Sequence, residues 1–269
     1  METSSVGSIK FTQCRAPRDV VIVQGDDAAT FLHSQLAQDI SHLAVGSSVH
    51  SFVLEPTGHV VAIARVFRHV DSVFTLDVDH GLGEQVVARL KKFVLRARVT
   101  MRVSDWNVHT YWGTGVREAL SAQLGSSPAW WGDADVVDVV SSPGDEPLVG
   151  AVVSQEEWHV LRVDSRWPCV GVDIEVGDVP AATGVVRVAA SFTKGCYPGQ
   201  ELVERMDSRG TSAPVAVRVV DRGELHVGDV LTENDEVVGT VTSIGTRCAL
   251  ARVKRGSSVG ADLGAASAQ

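Results

Sequence analysis

The sequence is poor in cysteine: Cys14, Cys169, Cys196 and Cys248 are the only four, and no two stand within ten residues of each other. This excludes a CxxC pair and the spacing of a zinc ribbon, and leaves too few thiols for a disulfide-stapled scaffold. Lysine is also scarce, five residues against nineteen arginines, so a lysine set inside a motif is conspicuous. Aromatic residues make up only 6%. No run approaches the roughly 20 apolar residues that span a bilayer. The start, Met-Glu-Thr-Ser-Ser-Val-Gly-Ser, lacks the basic and apolar regions of a signal peptide, so a cytosolic protein without a membrane partner is expected. Long basic runs are missing too. With a formal charge of −9 and only Arg65–Arg68 and Lys91–Arg98 as local basic concentrations, direct nucleic-acid binding is disfavoured. The nine histidines show no HxxxH or HExxH pair, and no complete dinucleotide glycine fingerprint occurs.

What is present is a valine-rich, 44% apolar chain of 269 residues, a length that suits one large domain or a large and a small one. Val20–Val23 reads as a strand leading through Gly25 into a helix, with Asp26 or Asp27 as cap and Ala28, Phe31, Leu32, Leu36 and Ile40 on one face. Val49–Leu54 and Val60–Phe67 read as strands around the turn Glu55-Pro56-Thr57-Gly58. Val73–Val78 is a further strand, and Leu82, Val86, Leu90 and Phe93 mark a second helix. Strands are expected over Ala97–Val103 and Trp106–Tyr111, and a third helix over Val116, Leu120 and Leu124. Ser154 and Glu157 have the form of a capping box. Asp77-Val78-Asp79-His80 reads either as a small acidic site or as a strand-end turn. From Pro214 short strands alternate with Gly/Asp/Asn turns in the manner of a small β-barrel, followed by a frayed tail after Gly256. The fold class is therefore α+β, with a first region over 1–209 and a C-terminal β-barrel over 210–269.

One segment concentrates chemical groups: Lys194-Gly195-Cys196-Tyr197-Pro198-Gly199-Gln200-Glu201. Pro198 suits a first helical turn, which places Cys196 in the loop ahead of a helix N-terminus, with Lys194 two residues away. A thiol there, near a cation, is expected to favour thiolate. Gly195 and Gly199 with the helix end would form an anion nest, Tyr197 offers a stacking face, and Arg209 a nearby pocket cation.

This segment resembles the K-G-C-Y-x-G-Q-E signature of the YgfZ family, whose members share the fold of the glycine-cleavage T-protein. Gly25-Asp26-Asp27-Ala28 with Phe31-Leu32 and Gln35-Leu36 is similar to that family's opening motif. Leu161-Arg162-Val163-Asp164 with Pro168, Gly171 and Asp173-Ile174, and Gly239–Ser243, resemble T-protein stretches. The resemblance implies mixed antiparallel sheets with helices and a C-terminal barrel, and a tetrahydrofolate or other folate derivative as cofactor. It also implies iron–sulfur client or assembly proteins as partners. Cys196 and Lys194 would be the reactive pair; Tyr197, Gly195, Gly199, Gln200, Glu201, Arg162 and Arg209 would contact the cofactor. Where T-proteins carry paired aspartates, one of which assists aminomethyl transfer, this chain has Ala62 and Ile63, which cannot exchange protons. Trp158 and Ala182 stand where T-proteins place an arginine and an acidic residue. Three functions remain open at this point: an accessory protein for iron–sulfur cluster assembly or repair, a folate-dependent one-carbon or aminomethyl transferase, and a non-catalytic interaction module.

Overall fold

The computed structural model describes residues 11–130, 135–145, 150–208 and 213–263. Arg209 and the boundary expected at 209/210 lie outside these residues. Three five-stranded sheets organise the described chain. The first runs Ser48–Leu54, Val60–Val70, Val73–Asp79, Arg18–Gln24, Thr100–Ser104 in spatial order, every neighbour antiparallel. Its inner residues pack into the main core, where Phe52, Ala62, Phe74 and Leu76 are each 0% exposed.

The second sheet runs Ala151–Val152, Thr12–Arg15, Asn107–Trp112, Val136–Ser141, Ser126–Pro128, with only the first pair parallel. The third is antiparallel and runs Val230–Glu233, Glu236–Ile244, Cys248–Lys254, Val215–Asp221, Ala261–Asp262 around a small core of Val220, Val241, Ala249, Ala251 and Val253. The strands expected from the turn spacing are present. The barrel is not closed among the described residues, because no ladder joins the two outer strands.

Six α-helices accompany the sheets among the described residues: α1 (Ala28–Gln35), α2 (Gly83–Lys91), α3 (Val116–Ala119), α4 (Gln155–Asp164), α5 (Val186–Ala189) and α6 (Gln200–Ser208). The capping box on α4 is complete, with Ser154 accepting from the Glu157 amide and the Glu157 carboxylate accepting from the Ser154 amide. α1 is shorter than its apolar spacing suggests. Leu36 turns extended, at φ −101° and ψ 153°, yet Leu36 and Ile40 stay buried. The Asp27 side chain does not cap α1; it accepts instead from the Arg98 amide at 2.7 Å and so ties in the loop before Thr100. α3 is a single turn that Leu120 and Leu124 do not extend. The expected fraying after Gly256 is overturned as far as Leu263, which is 1% exposed while Ala261–Asp262 adds to the third sheet.

Candidate functional site

The chain leaves α5 at Ala190 and runs without regular structure until α6 begins at Gln200. Cys196 lies in this loop and is exposed, whereas Cys14, Cys169 and Cys248 are buried. Burial raises the pKa of those three thiols, with smaller contributions from carboxylates nearby. They are inert residents of the core. Cys196 alone presents its sulfur to reagents.

Lys194 does not face outward with it. Its side chain is buried, and Nζ donates to the carbonyl oxygens of His33, Leu36 (2.7 Å) and Gln38 (3.2 Å). These groups end α1 and lead away from it, where carbonyls have no helical partner and where a cation is favoured by the dipole. An ammonium has three protons, and all three are engaged. The role assigned to Lys194 from sequence is therefore corrected. It pins the motif loop to the C-terminal end of α1 and has no donor left for Cys196 or for a ligand. Burial lowers its pKa to about 8, opposed by Asp39. The same ammonium stands 5.2 Å from the centroid of the Tyr197 ring.

The loop is held a second time through glycine. Gly199 adopts φ +87°, and a Cβ there would lie 2.7 Å from the Gly58 Cα and 2.9 Å from the Glu55 carbonyl oxygen. Gly58, at φ +91°, meets Leu202 of α6 just as closely. The turn after Ser48–Leu54 and the start of α6 thus touch backbone to backbone, which only glycine permits. The anion-nest reading of Gly199 gives way to close packing. Gly195 has open space around its Cα and no such constraint. Gly199→Ala is expected to cost about 1–3 kcal/mol, and Gly195→Ala less than about 0.5 kcal/mol. Urea unfolding of the two variants checks the contrast.

The remaining residues proposed from sequence divide. Tyr197 is buried, its pKa is raised to about 12 by burial and then by Glu204, and its hydroxyl has no partner among the described residues. Gln200 donates to Glu204 at 2.5 Å, and Glu201 pairs with Arg205, both on the outer side of α6. That side borders an open cleft of about 480 Å³ shared with Phe192 and Asp207. Arg162 is not at the motif. It is 1% exposed, pairs with Asp173 at 2.7 Å and donates to the Trp167 carbonyl and Ser243 Oγ, clamping α4 to the third sheet. A cofactor-contacting role for Arg162 is replaced by this structural one.

A polar cluster that sequence reasoning missed lies where the first two sheets meet. His50, Arg65 and Asp77 face one another in a row across three strands. Arg65 Nε donates to Asp77 Oδ2 at 2.9 Å, and Arg65 Nη1 donates to Asp138 Oδ2 of the second sheet. Asp138 Oδ1 accepts from Thr110 at 2.5 Å, and Thr110 Oγ1 accepts from the Trp158 indole at 2.8 Å. Arg18 bridges Asp77 at 2.6 Å and Asp79 at 3.0 Å. Arg65, Asp77 and Asp138 are at most 4% exposed. His50 packs on Trp167, ring centroids 4.6 Å apart, and burial with the nearby Arg65 pushes its pKa down to about 3. Arg65 Nη2 and Oγ of Ser127, which stands opposite Asp138, have neither a hydrogen-bond nor an ion-pair partner among the described residues. The signal available in sequence was the alternation Asp77-x-Asp79, which puts both carboxylates on one strand face. Of the two readings left open for it, the strand-end turn is present, since the strand ends at Asp79 and His80-Gly81 turn, while Asp77 and Asp79 are paired with Arg18 and Arg65 inside the fold.

Ala62 and Ile63 are buried within the Val60–Val70 strand, and Ala182 is 3% exposed. Trp158 is 1% exposed and packs on Trp130, with ring centroids 5.7 Å apart. No group of three or more His, Cys, Asp or Glu residues suited to a metal ion occurs among the described residues. No helix among them is long and apolar enough to cross a membrane.

No protein-family model matches the chain. It is 27% identical over 232 residues to an uncharacterised protein of Haemophilus influenzae, covering 83% of this chain and 80% of that one. It is also 27% identical over 255 residues to the tRNA-modifying protein YgfZ of an Enterobacter species, covering 81% and 76%. The corresponding protein of Klebsiella pneumoniae is 24% identical over 253 residues, covering 81% and 77%. Among solved structures, the glycine cleavage system aminomethyltransferase T from Bartonella henselae superposes with a TM-score of 0.73 at 15% identity, over 91% of this chain and 79% of that one.

Proposed function

We propose that this chain, a YgfZ-type protein of the T-protein-like superfamily, binds a reduced folate and supports the assembly or repair of iron–sulfur clusters in client enzymes of the cytoplasm. The observation that carries the reading is the state of Cys196: the single exposed thiol of the four, on a loop fixed by Lys194 and by the Gly58–Gly199 contact. A sulfur presented in this way suits exchange with a client or transient ligation of a metal centre. The chain has no cysteine set to keep a cluster of its own. An RNA-binding role is not favoured at −9 charge. A client that is itself a tRNA-modifying iron–sulfur enzyme reconciles this with the names of the relatives.

A folate fits the buried cluster better than the motif helix. The orphaned Arg65 Nη2 and Ser127 Oγ, beside Asp138 and the His50–Trp167 stack, match in chemistry the donor–acceptor edge and the planar face of a pterin. A bound reduced folate would supply carrier nitrogens for a one-carbon unit. Arg65, Asp138 and Ser127 would bind and orient its ring, while Arg18 and Asp77 hold Arg65 in place. Transferase activity is not favoured, because the Ala62 and Ile63 side chains hold no proton. Calorimetric titration with tetrahydrofolate, folinic acid and folate tests the cofactor half. Saturable binding of at least one, retained in Cys196→Ala and weakened about tenfold or more in Ser127→Val, is expected; no binding of any of the three would remove it.

A further inference from the structure

A second site stands apart from this cluster. A cleft of about 290 Å³ opens between the turn Glu55–His59, α2 and the backbone at Val176-Gly177. Val60, Val61 and Ala88 line it with apolar surface, and Arg89 stands in its wall. Arg89 is 1% exposed, an unusual position for a guanidinium. Its Nε donates to the Leu54 carbonyl at 2.6 Å and its Nη1 to Gln35 Oε1 at 3.2 Å, while its plane lies 4.6 Å from the Phe93 ring centroid. Nη2 is buried with no acceptor among the described residues. Glu55 acts on this cation through space without bonding to it. The guanidinium is thus neither fully hydrogen-bonded nor paired, a costly state for a buried charge.

The surroundings add positive charge. Lys92 lines the same cleft, Lys91 precedes it as the last residue of α2 and Arg96 follows in the loop, none of the three in an ion pair among the described residues. Cations at a helix C-terminus are favoured by the dipole alone, which accounts for Lys91 and Lys92. It does not account for a buried arginine with a donor to spare beside an apolar hollow. We infer that this cleft is a binding site for a small anion, a carboxylate or phosphate group carried on a compact apolar body. Arg89 Nη2 supplies the fixed donor, Lys92 the rim charge, and Val60, Val61 and Ala88 the seat for the body. The carboxylate of Glu55 opposes the ligand and sets the affinity. The same turn meets Gly199 at its Gly58 end, so an occupant would bear on the placement of the motif loop.

The test is an amide NMR titration of the full chain with inorganic phosphate and, separately, with benzoate, into the millimolar range. Saturable shifts confined to residues 54–61, 85–93 and 176–178 are expected for at least one probe, and the stronger response tells phosphate from carboxylate. Lys92→Gln should weaken that probe roughly three- to tenfold, and Glu55→Gln should tighten it by a similar factor. Both changes lie on the rim and leave the buried Arg89 contacts in place. Arg89→Lys, where it folds, should abolish saturation. If neither probe saturates, or if the shifts spread over the basic surface and ignore both rim variants, the inference fails. The folate titration above reads a different site, so either result can fail without the other.

Discussion

Replacing Arg65 by methionine is expected to destabilise the protein by about 3–5 kcal/mol, the cost of breaking a buried ion pair by removing one partner. Among the described residues, Arg65 is the only side chain that bonds both Asp77 of the first sheet and Asp138 of the second. Without it Asp77 keeps its pairing with Arg18, but Asp138 keeps one hydrogen bond, from the Thr110 hydroxyl, and Arg18 reaches it only through space. Unfolding by urea should show a lower midpoint, and a thermal scan a fall of about 10 °C for a chain of this size. The mechanism has its own signature. Adding Asp138→Asn to Arg65→Met removes the stranded charge and should recover part of the loss, so the two changes are non-additive. An additive or worsened double variant would mean that methionine packing, not the charge, sets the loss.

The second large effect belongs to Lys194. Lys194→Met removes a charged donor from three carbonyls at the end of α1 and the cation over Tyr197. A hydrogen bond from a charged group is worth about 1.5–3 kcal/mol, so a loss of about 2–3 kcal/mol is expected after relaxation. Lys194→Arg should not rescue it. The planar guanidinium fork cannot bring its protons onto three carbonyls that converge on one point. Amide hydrogen exchange should rise at Leu32, Leu36 and Tyr197 in both variants while the third sheet is unaffected. A Lys194→Arg variant as stable as the wild type would show that charge alone, and not the convergent geometry, holds the loop.

The two residues explain which parts of the molecule could be read from sequence. Strands such as Val73–Asp79 and Val215–Asp221 were legible because apolar alternation and turn chemistry are local. The loop position of Cys196 ahead of α6 followed from the glycine and proline around it, whereas its exposure did not. What Lys194 does was not legible, since its acceptors lie 156 to 161 residues away in the chain. The same holds for Arg65, whose partner Asp138 is 73 residues distant. Gly199 illustrates the middle case. Its place in the motif suggested an anion nest, but what it makes is a close contact with Gly58, which is set by sheet register and not by neighbouring residues. Arg162 misled for the opposite reason: its motif context pointed to a ligand, and its contacts are with the protein.

The proposed function requires Cys196 to serve chemistry and not the fold. An exposed thiol with open surroundings contributes little to stability, so Cys196→Ala should unfold within about 0.5 kcal/mol of the wild type. The direct measurement is the activity of iron–sulfur enzymes in cells that lack this protein and are supplied with either form at equal abundance. Wild type should restore those activities, and Cys196→Ala should leave them near the level of cells without the protein. Full restoration by Cys196→Ala would contradict the central claim.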